Sequence, residues 1–385
     1  MRVLWLTENY PPRRGGMAQA CDRIVANLRQ GGLTIDVAYF TPGGHSFKTI
    51  QQQSGRLLLL PVSDSPGHTL NCLYNYLCDP ATRVEYTHIV AFGGYMPILA
   101  LPVFKNWLKA SAILMLRGND FDLGIFMPQR RAMLADALSA ATTVCVLSEE
   151  LKQKISLLFP KTKLKVIANG IDCADWHCED CDYQAAETWR KQNAADNRLN
   201  IGIIGQLKEK KGVIFFLENV IRANLHEKFR FLLIGDVEPQ VQDWLTAKAE
   251  TLSIVQLPFL DRFELLSWYP TCDYIALPSH YDGMPNVLLE AGALGTPIIA
   301  ARVGGIHEVL PDEQYQLTFH PGNADACREA IWQAANLSEK ERQKIGAGLK
   351  KHIEKHFSAN REATKYLKVF EDIDRKKTSK KGKRI

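Results

Sequence analysis

The chain has 385 residues, 46% of them hydrophobic and 23% charged, which excludes a disordered polymer and supplies material for two buried cores. Its longest apolar stretch, Tyr95 to Phe104, holds two prolines and falls well short of the roughly 20 residues of a membrane span. The start, MRVLWLTENY, has too short an apolar run for a signal peptide or anchor, so a cytoplasmic protein is expected. The net charge of +5 is local, because Arg375 to Ile385 holds seven Lys or Arg and no acid, leaving −2 on the rest.

The run VLWLTENY reads as a buried strand, followed by the loop PPRRGG (Pro11 to Gly16) and a helix, MAQACDRIVANLRQ. That helix places Cys21, Ile24, Val25 and Leu28 on one face before a stop at Gly31-Gly32. TIDVAYFT, HIVAFGG, AILMLRG, TTVCVLS and KVIANG continue as buried strands with room for crossover helices between them, which predicts a parallel sheet wound on both faces. After ANGID (Ala168 to Asp172) about twenty-five polar, acid-rich residues read as a linker.

A second series then begins: NIGIIGQL, a helix over Val213 to Asn224, FRFLLIGD, a helix over Val237 to Lys248, SIVQLPF, a helix over Phe263 to Tyr269, DYIALPS, a helix over Pro285 to Leu294, and PIIAARVGG. The expected fold is therefore α/β, two facing Rossmann-like doubly wound domains with a ligand cleft at the carboxyl ends of their strands. The expected division is 1–175 for the first domain, 176–199 for the linker, 200–355 for the second domain, 356–374 for a last helix and 375–385 for a disordered basic tail.

Two loops suit phosphate. In PPRRGG, Gly15 and Gly16 allow backbone to approach a ligand, and in GQLKEKKG (Gly205 to Gly212) Lys208, Lys210 and Lys211 stand at a strand end. Neither loop is a G-x-G-x-x-G dinucleotide fingerprint or a P-loop, which argues against nicotinamide chemistry and phosphoryl transfer from a bound nucleotide.

The nine cysteines read as reduced. Cys173, His177, Cys178 and Cys181 crowd one short run, whereas structural zinc sites draw ligand pairs from separated segments, so the site is read without a metal. The basic tail suits an anionic membrane surface better than nucleic acid, since no aromatic residue interleaves its charges.

The stretch DGMPNVLLE places Asp282 and Glu290 at the two ends of a strand-to-helix turn, with Pro285 expected in the first helical turn. Together with SHYDGMPNVLLEAGALGTPIIAARVGGIHEVL (Ser279 to Leu310), GQLKEKKG, ANGID and the N-terminal glycine loop, it makes the chain resemble the family 4 retaining glycosyltransferases of the GT-B fold, from Met1 to about Asp374. The resemblance implies that Glu290 takes the donor ribose and Asp282 the transferred sugar. Gly283, Met284, Pro285, Asn286, Val287 and Leu288 would bind sugar and diphosphate, and Lys211 would neutralise the diphosphate. Gly15 and Gly16 would close over the donor phosphates, and the last helix would return to the N-terminal domain.

Three positions depart from that pattern. Asp282 replaces a Glu, Gln206 stands where an arginine is usual, and Arg117 in LRGND replaces a histidine, so it can donate hydrogen bonds but not shuttle a proton. The expected activity is transfer from a UDP-, GDP- or ADP-sugar to a hydroxyl acceptor, in glycan, glycolipid or cell-surface polysaccharide synthesis. No cofactor is required, and a lipid-linked acceptor or a peripheral membrane contact through Arg375 to Ile385 fits this reading. The alternatives are a sugar-nucleotide epimerase of the same fold and a non-catalytic nucleotide-sugar-binding protein docked by its tail.

Overall fold

The computed structural model describes residues 1–43, 46–193 and 197–381. The chain divides into two compact units, Met1–Asn169 with Ala359–Ile385, and Gly170–Ser358.

The first unit is built on an eight-stranded sheet of β1 Arg2–Thr7, β2 Thr34–Thr41, β3 Lys48–Gln52, β4 Gly55–Pro61, β5 His88–Phe92, β6 Ser111–Leu116, β7 Thr143–Val146 and β8 Leu164–Val166. Their order is β3-β4-β2-β1-β5-β6-β7-β8, and every pairing is parallel except β3 with β4. β1 and β5 hold the centre because Val3 to Leu6 and all of His88–Phe92 are buried on both faces. One face packs against helices Gly16–Gln30 and Ala359–Lys381 through Cys21, Ile24, Tyr366 and Phe370. The other packs against Leu73, Leu101, Leu134 and Ile155, from four further helices.

The second unit carries β9 Leu199–Ile204, β10 Phe229–Ile234, β11 Ser253–Leu257, β12 Tyr274–Leu277, β13 Ile298–Ala301 and β14 Thr318–Phe319, all parallel, in the order β11-β10-β9-β12-β13-β14. Strand order reverses at β1/β5 in the first unit and at β9/β12 in the second. Loops leaving the carboxyl ends of those strand pairs splay apart and leave a crevice.

Several expectations need correction. The first sheet also contains the hairpin β3–β4, whose outer strand, KTIQQ, is polar and almost wholly exposed and so carries no burial signal. The expected linker contains helix Asp180–Gln192, part of the second unit, where Trp189 meets Trp268 at 5.7 Å and Ser267 donates to Asp182 at 2.7 Å. Its acids read as coil, yet Glu179 and Asp182 form a capping box that starts the helix. Pro285 sits at the N-cap, and the helix begins at Asn286. Residues 375–381 of the expected disordered tail continue helix Ala359–Lys381, since Lys and Arg are good helix formers and Arg375 pairs with Glu371 one turn back. The remainder of the tail, 382–385, lies outside the described residues.

Candidate active site

In the second unit the crevice between β9 and β12 is bordered by two loops that the backbone ties together. The lysine loop leaves β9, makes a 3-10 turn at Glu209–Lys211 and reaches Gly212 with φ at +66°. A Cβ at Gly212 would lie 2.1 Å from the carbonyl oxygen of Pro278, so only glycine lets the loop lie against the end of β12. The amide of His280 donates to the carbonyl of Lys210 at 2.9 Å and closes the other side of the seam.

This strapping delivers Lys211 to Asp282. The ammonium lies 2.5 Å from Asp282 Oδ2, both groups partly shielded, while Asp282 Oδ1 accepts the amide of Gly283 at 2.9 Å. Burial lowers the Lys210 amine below its ordinary pKa, with Lys211 and Lys208 acting in the same sense and Asp282 opposing. Lys208 is exposed, as is the side chain of Gln206. The loop after β13 supports the acid from behind. Gly304 has φ at +50°, a Cβ there would fall 1.9 Å from the carbonyl oxygen of Asp282, and the Gly305 amide donates to Gly283 at 2.6 Å.

Gly283 and Met284 are buried, and Pro285 is the N-cap of helix Asn286–Leu294, its own side chain making no cap hydrogen bond. Asn286, Val287 and Leu288 form that turn, whose amides carry the positive end of the helix dipole. One turn on, Glu290 is 5% exposed, and its Oε2 accepts the hydroxyl of Tyr269 at 2.7 Å. Burial, then the Glu290 carboxylate, holds the Tyr269 phenol well above its ordinary pKa, so it remains the donor. The sequence reading did not find Tyr269, because nothing local marks which tyrosine will meet an acid twenty-one residues later. It also passed over Gly304 and Gly305, whose signal is the adjacent glycine pair at a strand end.

In the first unit, Gly15 is the N-cap of helix Gly16–Gln30 with φ at +106°, and a Cβ there would meet nothing within 4 Å. That glycine serves backbone conformation, and neither a side-chain cap nor an acid occupies the first turn. Two carboxylates shape the neighbouring strand end. Glu8 accepts the Met96 amide at 2.7 Å, and Asp120 accepts those of Gly94 and Arg117 at 2.9 and 3.0 Å.

Arg117 departs from its expected role. Its guanidinium is buried, stacks over Phe92 at 4.8 Å and donates to Tyr366 at 3.2 Å and to Asn169, so it ties helix Ala359–Lys381 to the sheet. The cysteine-rich run is likewise committed to local contacts. His177 is engaged by the Ala174 carbonyl and Glu179, and Cys178 donates to the Leu266 carbonyl. Among the described residues no group of three His, Cys, Asp or Glu is arranged to hold a metal ion, and no helix is long and apolar enough to cross a membrane.

Residues 198–336 match the family model described as glycosyl transferases group 1. An uncharacterized glycosyltransferase of Methanocaldococcus jannaschii is 24% identical over 342 residues, covering 85% of this chain and 87% of the relative. Among solved structures, sucrose-phosphate synthase from Thermosynechococcus elongatus superposes with a TM-score of 0.81 at 15% identity, over 97% of this chain and 98% of that one. Anabaena HepE in complex with UDP-glucose gives 0.74 at 16% identity, over 97% and 100%. The fold is thus GT-B, with two Rossmann-like units. The chain is a glycosyltransferase.

Proposed function

We propose that this glycosyltransferase is of the family 4 type and moves a sugar from a nucleotide-diphosphate sugar to a hydroxyl acceptor with retention of anomeric configuration. The observation that carries the reading is the convergence of Lys211, Asp282 and the start of helix Asn286–Leu294 at the β9/β12 switch point.

In such a transfer the bond from the anomeric carbon to the diphosphate oxygen breaks and a bond to the acceptor oxygen forms on the same face. The acceptor proton passes to the departing diphosphate. Negative charge grows on the leaving group while positive charge builds at the sugar ring. Lys211, Lys210 and the amides of Asn286 and Val287 answer the first, and the Asp282 carboxylate beside the ring answers the second. Glu290, oriented by Tyr269, takes the ribose hydroxyls. These charges are supplied by the chain itself, without a metal. Preorganised groups of this kind are worth roughly 3 to 4 kcal/mol each in barrier.

A lipid-linked acceptor is supported by the segment Asp120 to Arg131, where Phe126 is 84% exposed beside exposed Leu123 and Met127 and the exposed arginines Arg130 and Arg131. Such a pairing of apolar and basic groups suits an anionic membrane surface. The exposed Arg375, Lys376 and Lys377 add to that attraction.

The test is incubation with UDP-, GDP- and ADP-sugars, scored for donor hydrolysis and, with membrane lipid extract, for transfer and product anomer. Turnover of one donor, lost in Lys211→Ala, is the expected result. If no nucleotide sugar is bound or consumed the proposal fails, and conversion of the donor sugar without acceptor would make the protein an epimerase.

A further inference from the structure

Two adjacent lysines of the loop after β9 meet different partners. Glu209–Lys211 is a 3-10 turn, in which successive side chains point about 120° apart. Two backbone contacts fix its register against the loop after β12: the His280 amide on the Lys210 carbonyl at 2.9 Å, and the close approach of Gly212 to the Pro278 carbonyl. Consecutive lysines therefore face consecutive residues. Lys211 reaches Asp282 and is paired there, whereas the Lys210 ammonium lies 5.7 Å from the centre of the Tyr281 ring.

The Lys210 ammonium is partly buried, yet it forms no hydrogen bond or ion pair with any described residue. The groups around it are Tyr281 and Asp282 from the acid loop and Lys208 and Lys211 from its own loop, while Glu238, at the start of the next helix, accepts the Glu209 amide instead. Burial disfavours its charge most, Asp282 opposes that effect, and Lys211 and Lys208 add to it. Asp282 is already shared with Lys211, so the face of Tyr281 matters, because an aromatic quadrupole attracts a cation within about 6 Å. The Tyr281 hydroxyl makes no hydrogen bond with a described residue, and what the tyrosine contributes is its ring.

A cation held in place without a counterion is ready to take an anion. Lys210 stands on the side of Asp282, which marks the sugar end of the donor in the function proposed above, and the phosphate bonded to the sugar is the distal one. We propose that Tyr281 is a positioning residue that holds Lys210 for the distal phosphate of the nucleotide, so that Lys210 captures the diphosphate while Lys211 and Asp282 serve the transfer. The pair thereby sets a preference for nucleoside diphosphate over monophosphate. This inference rests on the donor reading.

The test is titration calorimetry of the full chain with UDP, GDP and ADP, followed by the monophosphate of whichever binds. Lys210→Gln should weaken the diphosphate at least tenfold and Tyr281→Leu at least threefold, each leaving the monophosphate within twofold of wild type. Tyr281→Phe, which keeps the ring, should bind as wild type does, and Tyr281→Leu should add nothing in the Lys210→Gln background. In turnover the same factors should appear in donor KM, with kcat nearly unchanged. Equal losses for monophosphate and diphosphate would reduce the pair to a prop for the loop and overturn the proposal, as would independent, additive effects of the two substitutions. Unchanged diphosphate affinity in Lys210→Gln or Tyr281→Leu overturns it too and leaves the donor reading standing. If none of the three diphosphates binds the wild-type protein, the donor reading fails and this inference with it.

Discussion

Inside the second unit the hydroxyl of Tyr269 donates to Glu290 across 2.7 Å, with the tyrosine wholly out of water and its ring edge-on to Trp176 at 5.9 Å. The bond fixes one oxygen of a carboxylate that could otherwise rotate. Tyr269→Phe keeps the ring and removes the donor, and a buried acceptor left short of a partner costs about 1–3 kcal/mol. Chemical denaturation should register that loss, and donor KM should rise severalfold with kcat nearly unchanged. A fall in kcat at constant KM would show that the tyrosine acts on the reaction itself.

Lys211 and Asp282 neutralise one another in the unliganded protein. The lysine is expected to leave the acid for the diphosphate when donor enters. Lys211→Met should therefore lower kcat about 10²- to 10³-fold, in keeping with the loss of one preorganised electrostatic group. Asp282→Glu lengthens the acid by one methylene and should change the ranking of donor sugars more than the ranking of nucleotide bases. Competition among donors in a single assay reads both.

Gly304→Ala places a methyl where the carbonyl of Asp282 now sits and demands a positive φ of an L-residue. The backbone strain alone is about 1–3 kcal/mol. The acid loop must move, so a lower melting temperature and a fall of at least tenfold in kcat/KM should appear together. An active variant with wild-type stability would mean that the loop after β13 does not support Asp282.

Arg117 bonds Asn169 and Tyr366 within the first unit. Arg117→Met should cost about 2–3 kcal/mol, the scale of lost hydrogen bonds from a charged group, while kcat of the remaining folded enzyme stays near wild type. A large loss of kcat without destabilisation would return the arginine to the reacting centre.

His88 is wholly buried, packs against Phe370 and has its Nε2 3.4 Å from Asp374. Burial pushes its pKa down to about 4, with Asp374 opposing and Lys377 and the N-terminal amine assisting. Between pH 6.5 and about 4 the unfolded chain takes up a proton that the folded chain refuses, so stability falls as pH falls through that window. The loss reaches about 3 kcal/mol at its lower end. Urea midpoints at pH 7 and pH 4.5 measure it, and His88→Leu should flatten this part of the profile.

How much of this could be read in advance depended on whether the signal was local. Strands buried on both faces announce themselves as apolar runs, so β1, β5, β9 and β12 were legible, and with them the switch points where the loops gather. KTIQQ was not, because an exposed edge strand is defined by its neighbour and not by its own residues. Helix Asp180–Gln192 was missed for a related reason, since its few buried positions, Asp182 and Ala186, leave a sequence that reads as polar throughout. In the site, Lys211 and Asp282 stood out through glycines and charges at strand ends. Arg117 was placed at the site through the resemblance alone, and its actual partners Asn169 and Tyr366, 52 and 249 residues away, leave no local mark.

The second unit begins and ends at one place, where the Ile171 amide donates to the Phe357 carbonyl at 2.8 Å and Ile171 bridges Ser358. The first unit, by contrast, is made in two instalments. During synthesis the face of its sheet that awaits Tyr366, Phe370 and Ile373 must stay open until some two hundred further residues have been added. At ordinary elongation rates that is a delay of about 10 to 40 s. The half made first is therefore the half completed last, and an interrupted transcript that stops near Ser358 would release a finished second unit attached to a first unit with its core uncovered.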